Sequence, residues 1–198
     1  MTSPVTPAGP ASSLVARTVA LDLDRATSLA SLLPTDHPVA WLRRGDGLVG
    51  WGEAAVLRSS GPTRFADADK WWSETVARLD VQDEVSEPGT GPVCFGTFAF
   101  ADDPGDSVLV VPAVIVGRRG DSAWLTTVGP GVTPQPEVHV ADAPLAPLDV
   151  SFADGALNGE QWMTVVADAV ARISAGDLEK VVLARDLVAT ASAPIDVR

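Results

Sequence analysis

The stretch Asn158 to Ala189, NGEQWMTVVADAVARISAGDLEKVVLARDLVA, decides how this chain is read. Trp162, Val165, Val166, Ala169 and Ile173 recur at the spacing of one helical face, whereas Thr164, Asp168 and Arg172 fall on the other. That periodicity predicts an amphipathic helix over residues 159–175. Asn158 is suited to accept from the free N–H groups of the first turn. Glu160 sits near the positive end of the helix dipole, and Gly176 is able to take the left-handed conformation that ends a helix. After a Gly-Asp turn, Val181-Val182-Leu183-Ala184 is an apolar, partly β-branched run, too short for a helix and suited to a buried strand. Lys180 opens that strand.

Lysine is scarce here, the only other one being Lys70, while the remaining basic side chains are arginines. Arginine stays charged, but a desolvated lysine can lose its proton near neutral pH and so can act as a base. Regular alternation would place Lys180, Val182 and Ala184 on one face and Val181, Leu183 and Arg185 on the opposite one. The plainer reading is a surface lysine at a strand start, its stem covering apolar neighbours and its ammonium in water. Spacing alone does not overturn that reading.

The segment Gly176-Asp177-Leu178-Glu179-Lys180-Val181-Val182-Leu183-Ala184-Arg185, preceded by a helix that carries Trp162 near its start, resembles the signature of chorismate-utilising enzymes, and within them of isochorismate synthases. In that superfamily the amine-forming members carry glutamine where this chain has Lys180, and the water-using members, isochorismate and salicylate synthases, carry lysine. The resemblance therefore implies that Lys180 is the general base that deprotonates the water attacking C2 of chorismate while the C4 hydroxyl leaves. It implies an isomerase whose product feeds menaquinone or siderophore formation, with chorismate as substrate and Mg²⁺ as cofactor. The family's general-acid glutamate, its Mg²⁺-holding glutamates and most groups gripping the substrate carboxylates would fall C-terminal to Arg198, the last residue of this sequence. No acid or metal ligand is assigned within it. A complementary C-terminal polypeptide is the partner this implies, the lysine strand otherwise presenting an uncovered apolar flank.

Composition narrows the remaining classes. A chain of 198 residues with 46% hydrophobic content can bury a sizeable core. Its formal net charge of −12 argues against nucleic acid or an anionic membrane as partner, since both would repel it. The single cysteine, Cys94, allows no internal disulfide and, between Val93 and Phe95, reads as a small buried apolar residue. His37 and His139 lie near prolines without partners at metal-ligand spacing. No stretch has the form of a secretory signal or approaches the ~20 apolar residues of a membrane span, which predicts a cytoplasmic protein.

In chain order, residues 1–13 read as a disordered tail. Residues 14–130 read as a strand-rich scaffold, 131–150 as a proline-rich linker, and 151–198 as the start of a chorismate-binding catalytic portion. Within the scaffold, strands are predicted at 14–23 and 39–42, with a short helix at 26–33 between them. Arg43-Arg44-Gly45-Asp46-Gly47 is a turn into further strand over 48–57, and its neighbouring Gly-Trp-Gly is no phosphate loop, since no Lys-Ser/Thr or helix follows. Phe65 to Leu79 reads as a helix with Trp71 and Trp72 in the core, 81–91 as an acidic loop, and Pro92 to Phe100 as a strand. Asp102-Asp103-Pro104-Gly105-Asp106 lacks the remaining positions of a calcium loop and reads as a polar turn. Ser107 to Gly117 and Asp121 to Val128 form a hairpin about Arg118-Arg119-Gly120, with Pro112 marking an edge or bulge. The fold class expected is α+β: an antiparallel, strand-rich sheet with packed helices, the first part of the chorismate-utilising fold.

Overall fold

The computed structural model describes residues 14–103, 105–131 and 135–198. The predicted N-terminal tail, Pro104 of the aspartate turn and the start of the linker thus lie outside the described residues. The chain forms two compact units, one running to Ala143 and taking in Val197–Arg198, the other spanning Pro144–Asp196.

The first unit is built on a six-stranded sheet. Its strands are β1 (Leu14–Ala20), β2 (Val39–Arg43), β3 (Asp46–Trp51), β5 (Asp80–Asp83), β8 (Val114–Arg119) and β9 (Ser122–Pro130), in the order β2-β3-β8-β9-β1-β5. All neighbours are antiparallel except β1 and β5. A three-stranded sheet, β4-β7-β6, joins β4 (Ala55–Ser60), β6 (Phe95–Thr97) and β7 (Asp106–Val111). Helix α1 spans Arg64–Ala77. The mixture of sheets and helices is the expected α+β class.

Several local expectations are corrected. The segment 26–33 forms only a 3-10 turn at Leu29–Leu32, because Pro34 leaves too few residues to propagate a helix. Residues 107–117 are two strands in different sheets: buried Pro112 cannot donate to a ladder, so the chain crosses from one sheet to the other there. The single strand expected over 48–57 divides in step, into β3 pairing with β8 and β4 pairing with β7. The acidic segment read as loop begins at Val81, yet Asp80–Asp83 extends along β1 as an edge strand. The strand expected over 92–100 is only three residues long, since its ladder on β7 runs from Phe95 to Thr97.

Strand alternation sends two rows of side chains to opposite faces of the large sheet. On one face Val49, Val116 and Leu125 meet Leu29, Leu32 and Leu33 of the 3-10 segment. On the other, Ala16, Ile115 and Val128, with Val111, pack with Trp71, Trp72, Val93 and Cys94, so the paired tryptophans and the cysteine line the core as expected. Helix α1 is tied down by Arg64, whose buried guanidinium donates to the carbonyls of Ala99 (2.9 Å) and Phe100 (3.1 Å) and pairs with Asp102.

The second unit contains β10 (Ser151–Asp154), α2 (Gly159–Ser174) and β11 (Leu187–Thr190), with β10 and β11 antiparallel. The strand expected at Val181–Ala184 is not formed. A strand exists only where a ladder partner exists, and the partner here, β10, is four residues long and is taken by Leu187–Thr190.

Candidate active site

Lys180 lies in the segment between α2 and β11, and both ends of that segment are anchored. At the helix start, Asn158 Oδ1 accepts from the Gln161 N–H (2.9 Å) while Gln161 Oε1 accepts from the Asn158 N–H (3.0 Å), a reciprocal capping box. At the helix end, Gly176 has φ +85°. Its N–H donates to the Ile173 carbonyl (3.1 Å) and the Asp177 N–H to the Arg172 carbonyl (3.0 Å). Those two bonds are the Schellman pattern, in which only a left-handed residue lets the chain turn back over its last carbonyls. The helix thus stops where its sequence requires, at Ser174, six residues before Lys180.

Beyond the lysine, Arg185 and Asp186 bind back to the chain preceding α2. Arg185 pairs with Asp154 and donates from Nε to the Leu157 carbonyl (3.1 Å), and Asp186 accepts from the Ala156 N–H (3.1 Å). Sequence reading missed this clamp, since nothing in Ser151–Asp154 signals an acidic partner for a distant arginine.

Between these anchors Glu179 to Val182 are exposed in succession, Val181 included, and burial alternates only from Val182 to Arg185. Leu183 and Arg185 are half-buried, while Lys180, Val182 and Ala184 are exposed, Val182 at 82%. Lys180 therefore shares the open side with an apolar valine and makes no hydrogen bond or ion pair among the described residues. Among the described residues, its own unit builds no apolar enclosure around it.

The other candidates behave as their residue types suggest. Cys94 is half-buried, and burial pushes its thiol up to about 11, which makes it a poor nucleophile. His37 lies within 4 Å of Asp36 and Glu53, and His139 of Glu137, yet no set of three His, Cys, Asp or Glu side chains among the described residues could hold a metal. No helix among the described residues is long and apolar enough to cross a membrane.

A family model described as chorismate binding enzyme matches residues 41–198, and the chain belongs to that family. The match takes in most of the first unit and the whole of the second, including Lys180 and both of its anchors. No curated protein and no solved structure matches the chain.

Proposed function

We infer that the chain carries the lysine-bearing part of an isochorismate synthase, an isomerase that acts on chorismate. The observation that carries the reading is Lys180 itself, standing on the open side of a segment held at both ends by the Gly176 cap and the Arg185–Asp154 clamp. Anchoring of that kind aims a side chain without fixing its solvation. In the reaction, neutral Lys180 takes a proton from water as the water oxygen bonds to C2 of chorismate. The C4 hydroxyl takes up a proton and leaves as water while the ring double bonds shift between the two carbons, so one water enters and one departs. Lys180 supplies the base; the residues described here include no assigned acid.

Mg²⁺ belongs to the same proposal by resemblance, but the described side chains do not form a site that fits it, and no step is derived through it. The test is chorismate turnover with Mg²⁺, followed by product chromatography. It is run on the chain alone and with the family's C-terminal half added, each beside Lys180→Gln. Isochorismate formation that drops at least 100-fold in the variant, on the order expected for loss of a positioned base, is the expected result. Undiminished turnover by Lys180→Gln would overturn the assignment, and salicylate as product would redirect it to salicylate synthase.

One observation favours a second reading, a half-enzyme that acts by joining a complementary chain. Helix α2 has no buried residue, and Met163 (65%), Val170 (56%) and Ile173 (39%) stand exposed on it. Stable association with the added half without any turnover would support this reading over the first.

A further inference from the structure

The first unit contains a second place where chemistry converges, at the β2–β3 and β8–β9 turns. Sequence reading treats Arg43-Arg44 and Arg118-Arg119 simply as turn residues, because 75 residues separate the two pairs. Pairing of β3 with β8 brings them to one end of the sheet, where they border an open cleft of about 690 Å³. That volume is in the range of sites for small organic ligands.

The floor of the cleft follows from strand register. Trp41 pairs with Leu48, Leu48 with Gly117, and Gly117 with Trp124, so four successive strands contribute one row on one face. Gly117 is required there. A Cβ on it would stand 2.2 Å from the Trp124 ring, which instead lies flat across the glycine and donates from Nε1 to the Gly89 carbonyl (3.2 Å). Trp124 is thereby buried, while Trp41, at the sheet edge, leaves 75% of its surface open as an unfilled aromatic platform.

The wall of the cleft is cationic, which is unusual in a chain of net charge −12. Elsewhere Arg17, Arg25, Arg64, Arg78 and Arg185 each have a carboxylate partner, and Arg58 and Arg172, which make no ion pair among the described residues, stand singly rather than in a cluster. Here Arg43, Arg44 and Arg119 are exposed and make no ion pair among the described residues. Arg118 alternates to the opposite face of β8, where its buried guanidinium donates to the carbonyls of Gly45 (2.8 Å) and Thr27 (2.8 Å). Among the described residues the one carboxylate lining the cleft is Asp46, which accepts from the Gly120 N–H (3.1 Å). Three exposed guanidinium groups against one carboxylate, in a concave site beside low-dielectric sheet, set up a local positive potential.

We propose that this cleft binds a small organic anion with a planar ring, the ring lying on Trp41 and Leu48 and the anionic group held by Arg43 and Arg119. The alternation of β2 and β8 supports this division, since Arg43 follows Trp41, and Arg119 follows Gly117, by two positions on the same face. An aromatic carboxylate and a nucleotide share this chemistry. The inference does not depend on the function proposed for Lys180.

Isothermal titration of the whole chain with 1-naphthoate and with AMP tests it, with 1-naphthalenemethanol as the neutral control and inorganic phosphate as the ringless one. Binding by one or both anions is expected, weakened about tenfold by Arg43→Ser or Arg119→Ser, weakened also by Trp41→Ala and by added salt, and unchanged in Lys180→Gln. Naphthoate binding alone assigns the carboxylate class, and AMP binding alone the nucleotide class. Circular dichroism of these exposed-site variants checks that they fold. Equal binding of the neutral alcohol, variants that bind like the parent, or no heat up to about 10 mM ligand would each overturn the proposal.

Discussion

Cys94 and Gly117 show how single positions constrain the molecule. Burial raises the Cys94 thiol from 9.0 to about 11, so the folded state keeps this proton to higher pH than the unfolded chain. Its contribution to stability is fully present below pH 9 and is lost as pH rises toward about 11. At pH 8 iodoacetamide should therefore modify the folded protein far more slowly than the urea-unfolded chain, with the folded rate climbing above pH 9; equal rates at pH 8 would contradict the burial described. Gly117→Ala forces a methyl into the Trp124 ring and should cost about 1–3 kcal/mol, read as a lowered urea midpoint. An unchanged midpoint would mean that the ring is free to move away. Lys180→Gln, by contrast, alters an exposed side chain and should leave the midpoint within about 0.5 kcal/mol of the parent while removing turnover in the complemented enzyme.

At the scale of the element, α2 is the best test of local rules, because it forms with no buried residue. Its stability should lean on its ends. Asn158→Ala removes the capping acceptor and should destabilise the helix by about 1 kcal/mol, and Gly176→Ala, at φ +85°, should do so by a similar amount. Hydrogen exchange of the α2 amides should accelerate about fivefold in either variant; exchange no faster than in the parent would show that tertiary contacts hold the helix. The helix bounds, the cap and the stop were all legible in the sequence, since each depends on groups within a few residues of one another. The strand expected after it was not. Val181–Ala184 has strand composition, but pairing depends on where another segment ends, and β10 meets the chain six residues later. Pro112 shows the same limit from the other side: the sequence marks an interruption, and only the second sheet explains where the chain goes.

For the whole molecule, every fully buried hydrophobic side chain among the described residues lies in the first unit, between Val15 and Val128. A fragment of residues 1–143 should accordingly unfold cooperatively with heat, whereas 144–198 alone should show no cooperative transition; a sharp transition in the latter would require a core that its exposures do not contain. Membership of the chorismate binding enzyme family spans both units. The sequence by itself determined the α+β class, the amphipathic helix with its two caps, the hairpins at the double-arginine turns and the motif around Lys180, because periodicity, turn chemistry and capping act over a few neighbouring residues. Tertiary structure alone decided the strand order, the crossing at Pro112, the Arg185–Asp154 clamp and the convergence of Arg43-Arg44 with Arg118-Arg119 beside Trp41. Those features join residues from about 30 to more than 100 positions apart, and ladder register together with exclusion of water from the core, rather than any local preference, selects such contacts.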